Sequence, residues 1–293
     1  MCSHNFYIGE DMSIKNTDIF GRKAFFIAPD NALIPLSFME DFCTLGFESH
    51  ILNRNDGSLA ENIKIITEHF PDSALFFNVD APAVGIDWLH FMRQLRLDNA
   101  DIAIGVVFES TGPERTRHVE AEYENVVTSN LGCIGLSHGK EKENFASILS
   151  VLEKSGAKGR RNSIRAKCDN SSSITFGSGS SAFRAQVDDV NISHISCVIE
   201  ESDIKGIKIY DKIRNANICV NGFEFSSDVV LIMKRNKGGI FSAVFMFIKK
   251  PEDEPGLASE AEAGLNKKIY QITSKEFTDL LIDKFKKNSP RKN

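Results

Sequence analysis

The sequence lacks the features by which membrane spans and metal sites are usually found. Its longest apolar stretch, from Ile240 to Ile248, is far shorter than the roughly 20 residues that cross a bilayer. The six cysteines form no C-x-x-C pair, and the seven histidines form no H-E-x-x-H motif. These spacings indicate neither a zinc site nor a redox dithiol, so we expect no metal and reduced, structural cysteines.

Export signals and an excess of basic charge are absent as well. The first residues, Met1 to Asn5, show neither the basic region nor the apolar core of a secretory signal. The formal net charge of -5 argues against a dedicated nucleic-acid binder, because duplex binding needs a basic footprint. The length of 293 residues corresponds to about two domains. We therefore expect a cytoplasmic two-domain protein with no nucleic-acid partner and no membrane insertion.

The first half of the chain, residues 22–156 after a tail at 1–21, alternates short apolar runs with residues at helical spacing. Runs this apolar are typical of parallel strands that are covered on both faces. The pattern predicts a doubly wound α/β domain of five strand–helix units in flavodoxin-like order. The predicted strands are Ala24–Ala28, Ser49–Leu52, Ala74–Phe77, Ile102–Phe108 and Cys133–Leu136.

In the second half, residues 157–290, apolar residues alternate with polar ones, so the pattern repeats every two residues. About six short strands without intervening helices predict a small antiparallel β-barrel. The acidic stretch from Pro251 to Gly264 is rich in Ala, Glu and Pro, and is interpreted as a loop. Thr273 to Glu276 fits a capping box, which would open a C-terminal helix.

A basic segment lies where the two halves meet. From Lys158 to Lys167 the chain carries five basic side chains and no acid. Further on, Asn191 to Ser196 follows one predicted strand and precedes the next. Arginine presents a flat fork of donors that matches phosphate oxygens, and it can also stack on a purine. The two segments together suggest a site for a compact dianion.

The spacing R-x-x-x-R, then D/N-x-S-x-x-G, then a barrel with a C-terminal helix resembles the PilZ domain family. Members of that family bind the bacterial second messenger cyclic di-GMP. The resemblance covers roughly residues 159–288. It implies that Arg161 and Arg165, preceded by Arg160, wrap the guanines and phosphates of the ligand from the linker.

The second PilZ motif is matched at two of its three defining positions. The resemblance implies that Asn191 and Ser193 contact the ligand from the barrel surface. Ser196 stands where the family usually has Gly. If that position needs a positive φ or a close approach of the backbone to a base, serine would weaken binding.

The first domain resembles a response-regulator receiver in its size and alternation. That family phosphorylates an aspartate four residues before a proline, and here Asn78 stands four before Pro82. Asp80 does not stand at the position of the phosphorylated aspartate. Ala28 and Pro29 stand where the family has the acidic pair that would hold Mg²⁺. No phosphate-binding glycine motif is present. We expect a pseudo-receiver that docks a protein partner and performs no phosphoryl chemistry.

The leading hypothesis is a non-enzymatic cyclic di-GMP receptor in which the ligand orders the basic linker and changes the angle between the domains. The receptor would need no cofactor besides this ligand. A second hypothesis is a degenerate PilZ adaptor that binds proteins without nucleotide, since Ser196 departs from the family pattern. A third is a phosphorelay component that uses Asp80. No residue indicates the downstream pathway.

Overall fold

The computed structural model describes residues 21–53, 59–81, 85–128, 130–159, 163–177, 183–200, 206–237, 240–249 and 254–288. Within these residues the chain forms a five-stranded parallel sheet followed by an antiparallel barrel and a long helix. The division follows the change from helical to two-residue periodicity in the sequence.

The parallel sheet has the strand order β2-β1-β3-β4-β5 and helices on both faces. All five predicted strands are confirmed, and helices follow them as the periodicity predicts. The strands are β1 (Ala24–Ile27), β2 (Ser49–Leu52), β3 (Ala74–Asn78), β4 (Ala103–Glu109) and β5 (Cys133–Leu136). The helices are α1 (Ser37–Thr44), α2 (Leu59–His69), α3 (Trp88–Asp98), α4 (Pro113–Tyr123) and α5 (Glu141–Lys154).

Alternate residues of each strand enter two different hydrophobic layers. Phe26 faces α1 and α5, where it stacks on Phe42. Its neighbour Phe25 faces the opposite layer, which contains the buried side chains of α2, α3 and α4. Since both rings are fully buried, β1 needs apolar residues at successive positions, and this explains the continuous apolar runs of the sequence.

The barrel closes through six antiparallel strands in the order β11-β10-β7-β8-β9-β12, with β12 returning to pair with β11. Two short strands add to its rim, with β6 on β8 and β13 on β12. The strands are β6 (Ala166–Lys167), β7 (Ser173–Phe176), β8 (Phe183–Val190), β9 (His194–Ile199), β10 (Lys212–Val220), β11 (Phe223–Lys237), β12 (Ile240–Lys249) and β13 (Glu254–Pro255).

The predicted loop and capping box before the last helix are wrong. Helix α6 runs from Ser259 to Asn288, so it begins inside the stretch interpreted as a loop. Alanine and glutamate are good helix formers, and acidic residues in the first turn complement the helix dipole. Thr273 lies within the helix, where its hydroxyl donates to the Ile269 carbonyl at 3.1 Å. Gly264 permits close packing, because a Cβ there would overlap the Phe223 ring.

Helix α6 connects the barrel to the parallel sheet. In its first half, Leu265 and Ile269 are buried in a core that includes the barrel interior and one face of the sheet. In its second half, Phe277 and Leu281 pack into the layer on the other face. The helix contacts both α1 and α2, which lie on opposite faces beside the edge strand β2. It therefore covers the edge of the sheet at β2.

A buried polar group lies beneath the second half of α6. The His50 ring lies 4.6 Å from the Phe277 ring and 5.5 Å from Phe25, measured between centroids. Its Nε2 lies 3.2 Å from Glu48 Oε1, and Lys23 also binds Glu48. Burial lowers the pKa of His50. Burial opposes ionisation of Glu48, but the hydrogen bond from His50 and the charge of Lys23 lower its pKa to about 2.

Truncating Phe277 tests the contribution of α6 to the shared core. We expect Phe277→Ala to lower the free energy of unfolding by about 3–5 kcal/mol, because it leaves a cavity between α6 and the sheet. Urea denaturation followed by circular dichroism measures the change. Ile282→Ala is the matched control on the same helix, and its exposed side chain predicts a change within about 0.5 kcal/mol. Equal effects of the two variants would contradict the assigned packing.

The buried histidine predicts a loss of stability in mild acid. The unfolded chain protonates His50 near pH 6.5, whereas the folded protein does so only at lower pH. The unfolded state therefore binds more protons, and stability falls as the pH drops below about 6.5. Urea midpoints at pH 7.5 and 5.5 should show this fall, and His50→Phe should reduce it. If the urea midpoint of His50→Phe falls as much as that of the parent, groups other than His50 cause the loss of stability.

Candidate ligand-binding site

The structure brings the end of the basic segment onto the barrel. Arg160 and Arg161 lie outside the described residues. Arg165 directly precedes β6, whose Ala166 pairs with Val190 at the end of β8. The Arg165 Nη1 lies 3.1 Å from Oδ1 and 3.3 Å from Oδ2 of Asp189. The predicted ligand arginine is thus placed on the outer face of β8.

A β-bulge turns Asp189 outwards to meet this arginine. The pairing of β8 with β9 shifts by one residue between Val187 and Asp189. Val187 and Val190 point into the barrel, while Asp188 is exposed and Asp189 is half-buried. Bulges commonly redirect a side chain in this way. The sequence analysis missed Asp189, although the consecutive aspartates interrupt the alternation of β8.

Asn191 shapes the turn between β8 and β9. Its Oδ1 accepts hydrogen bonds from the Ser193 amide at 2.8 Å, the Ser193 hydroxyl at 2.9 Å and the His194 amide at 2.7 Å. The Asn191 amide donates to the His194 carbonyl at 2.9 Å, and the residue is only 7% exposed. The side-chain oxygen of Asn191 is therefore used within the turn.

Ser193 and Ser196 lie on either side of the start of β9. The Ser193 Oγ is 2.7 Å from His194 Nδ1, and the Ser193 carbonyl accepts from the Phe247 amide at 2.9 Å. Ser196 is half-buried in β9, where it pairs with Asp189 on one side and Val244 on the other. Its φ is negative, since it is not among the described residues with positive φ. The backbone at this position does not require glycine.

We call the outer face that carries Arg165, Asp189, His194 and Ser196 the β8–β9 site. Its side chains combine a cation, an acceptor and an aromatic ring. Arg165 supplies guanidinium donors, Asp189 supplies a carboxylate, and Ser196 lies beside them. Burial and the nearby charge of Arg165 lower the pKa of His194. The imidazole is therefore neutral near pH 7 and offers a flat face for a base. Such a set suits a ligand with both phosphates and bases.

In the parallel sheet, the residue at the expected phosphoacceptor position has a structural role. Asn78 is buried, donates to the Ala28 carbonyl at 3.1 Å and accepts from the Asp80 amide at 3.2 Å. The Asp80 carboxylate binds Arg115 and accepts from the Glu109 amide. A crevice of about 620 Å³ opens beside these residues at the carboxyl ends of the strands. Pro82 lies outside the described residues.

Other chemistry is sparse in the part of the chain that the structure describes. No group of three His, Cys, Asp or Glu side chains there could hold a metal ion. No described helix is both long and apolar enough to cross a membrane. The cysteines described are free thiols, and burial raises the pKa of Cys43 to about 12. A thiol with so high a pKa is poorly reactive near neutral pH.

The turn-forming role of Asn191 predicts a specific mutational pattern. Asn191→Ala removes the acceptor of three hydrogen bonds and should cost about 1–3 kcal/mol of stability. Asn191→Asp keeps an oxygen in the same place and should stay within about 1 kcal/mol of the parent. Asn217→Ala is the control, because Asn217 is exposed and its Oδ1 accepts one described hydrogen bond, from the Ser226 hydroxyl. Urea denaturation of the three variants measures these changes in the free energy of unfolding. If Asn191→Ala leaves the stability unchanged, Asn191 does not hold the turn.

Comparison with known proteins finds similarity only among solved structures. No protein-family model and no curated protein matches the chain. The PilZ domain with c-di-GMP of YcgR from Escherichia coli is 14% identical, with 41% of this chain and 96% of that chain covered and a TM-score of 0.33. The Bacillus subtilis inhibitor of motility MotI/DgrA is 10% identical, with 41% and 52% covered and a TM-score of 0.31.

A third similar structure is the PlzA protein of Borreliella burgdorferi in complex with c-di-GMP. It is 11% identical, with 41% of this chain and 48% of that chain covered and a TM-score of 0.23. The chain therefore spans about half the length of the MotI and PlzA chains. In all three comparisons the likeness is confined to less than half of this chain.

Proposed function

We propose that this protein is a non-enzymatic receptor for cyclic di-GMP, with a PilZ-type barrel at residues 157–290. The observation that carries the proposal is the juxtaposition of two sequence motifs. Arg165, the last residue of R-x-x-x-R, lies against Asp189 on the outer face of β8. The turn formed by Asn191 and Ser193 follows directly on the same strand. Two segments that are apart in the sequence thus meet on one surface.

The chemistry of the β8–β9 site matches this ligand. Cyclic di-GMP carries two phosphates and two guanines, so it needs cationic donors and flat surfaces together. We assign the phosphates to Arg160, Arg161 and Arg165, whose guanidinium groups can bind two oxygens at once. The hydroxyls of Ser193 and Ser196 flank the bases. Asn191 supports the site by holding the turn.

The first domain, residues 22–156, acts in the proposal as a receiver-like module without phosphoryl transfer. Its strand order 2-1-3-4-5 is the flavodoxin-like order. Asn78 is supported as a structural residue by its hydrogen bond to Ala28. Asp80 is bound by Arg115, which leaves it poorly placed to attack a phosphoryl donor. We infer that this domain presents a surface to a protein partner.

Helix α6 offers a route from the ligand to the first domain. The basic linker continues into β6, and β6 contacts both β8 and α6. The same helix contacts α1 and α2 beside the edge of the parallel sheet. Contact of the ligand with the linker would therefore act on β6 and, through α6, on the position of the sheet. In this proposal the angle between the domains changes through a packed helix as well as through the linker.

Calorimetric titration with cyclic di-GMP tests the proposal directly. We expect binding with a dissociation constant in the micromolar range or below, and a loss of at least about tenfold for Arg161→Ala and for Arg165→Ala. Arg184→Ala is the matched control, since Arg184 is exposed on β8 at the end away from the Asn191 turn. The absence of heat at tens of micromolar protein, or unchanged binding in the Arg161 and Arg165 variants, would overturn the proposal.

A further inference from the structure

Selective binding of the proposed ligand requires contacts to its bases as well as to its phosphates. Guanine presents two adjacent donors on its Watson–Crick edge, the N1–H and the N2 amino group, where adenine presents an acceptor beside its amino group. An arginine can select guanine by donating to O6 and N7, but recognition of the Watson–Crick donors needs an acceptor or a pair of acceptors at the base. Arginines cannot supply one, because the guanidinium only donates.

The motif residue that would be expected to accept is committed elsewhere. The Asn191 Oδ1 already receives three hydrogen bonds from within the turn, at 2.7 to 2.9 Å. With 7% exposure, the side chain has little surface that a base could reach. The Ser193 hydroxyl is bonded to Asn191 and to His194. An acceptor for the Watson–Crick edge would therefore come from another residue of the β8–β9 site.

Asp189 places an acceptor in the β8–β9 site. The bulge in β8 presents its carboxylate on the outer face, between Arg165 and the cross-strand residue Ser196. Its side chain is 18% exposed, so it is held in place and yet reachable. A carboxylate has about four acceptor positions, so the ion pair with Arg165 does not by itself prevent it from accepting from a base edge.

We propose that Asp189 is the guanine-specificity residue of the β8–β9 site, where its carboxylate accepts from the N1–H and N2 amino group of one base. The proposal rests on the cyclic di-GMP receptor proposed above. Repulsion between Asp189 and the phosphates is offset by Arg165, which neutralises the carboxylate at 3.1 Å. The ion pair then serves both parts of the ligand, with the cation on a phosphate and the anion on a base.

The test is a thermodynamic cycle between the residue and the base. Calorimetry measures the affinity of the parent and of Asp189→Asn for cyclic di-GMP and for cyclic di-inosine monophosphate, which lacks the N2 amino group. The parent should prefer cyclic di-GMP by at least about tenfold, and Asp189→Asn should lose most of that preference. A role in positioning Arg165 alone would weaken both ligands equally and leave the preference unchanged.

Asp188→Asn is the matched control. It makes the same change of charge one residue away, at an exposed side chain whose carboxylate lies 4.0 Å from Lys167. This variant should keep the preference of the parent. If Asp189→Asn retains the full preference, or binds cyclic di-GMP more tightly, the assignment of Asp189 is wrong and the receptor proposal stands. If the parent binds neither ligand, the receptor proposal itself fails and this assignment with it.

Discussion

The packing of helix α6 against the edge of the parallel sheet is the contact on which the rest of the structure depends. Strand β2 is an edge strand, and an uncovered edge offers unpaired backbone groups to other chains. The helix covers this edge with Phe277 and Leu281, while its first half completes the barrel core with Leu265 and Ile269. Because one helix belongs to both cores, neither domain is complete without it. The barrel and the sheet are therefore coupled through a packed helix as well as through the basic linker.

This contact also explains why a histidine is buried, and a glutamate half-buried, where α6 crosses the sheet. His50 lies between Phe25 and Phe277, so its ring contributes apolar surface to the contact. Its Nε2 lies 3.2 Å from Glu48, which in turn is bound by Lys23. A buried charge is tolerated only when it is paired, and here the lysine supplies the compensating charge at the rim. The neutral histidine thus links the apolar interior to the paired charges at the surface.

The sequence predicts those parts of the fold in which burial imposes a period. Strands covered on both faces must be apolar throughout, and barrel strands must alternate, so both sheets could be recognised from the residues alone. The start of α6 could not, because Ala, Glu and Pro from Pro251 to Gly264 are compatible with a loop until the packing against Phe223 is known. Asp189 was missed for a related reason. A bulge departs from the two-residue period, and the ion pair joins Asp189 to an arginine 24 positions earlier, before β6.

The hydrogen bonds of Asn191 give the second motif a structural role. Aspartate and asparagine alternate at its first position, and both offer a side-chain oxygen to the amides that follow. In this protein the side-chain oxygen of Asn191 accepts from these amides, so the residue specifies a turn. At the third position, Ser196 has an ordinary extended backbone paired on both sides, so glycine is not needed for its conformation. If Asp189 contacts guanine as proposed, the motif supplies the architecture of the turn, and the residue that distinguishes ligands lies beside the motif on the outer face of β8.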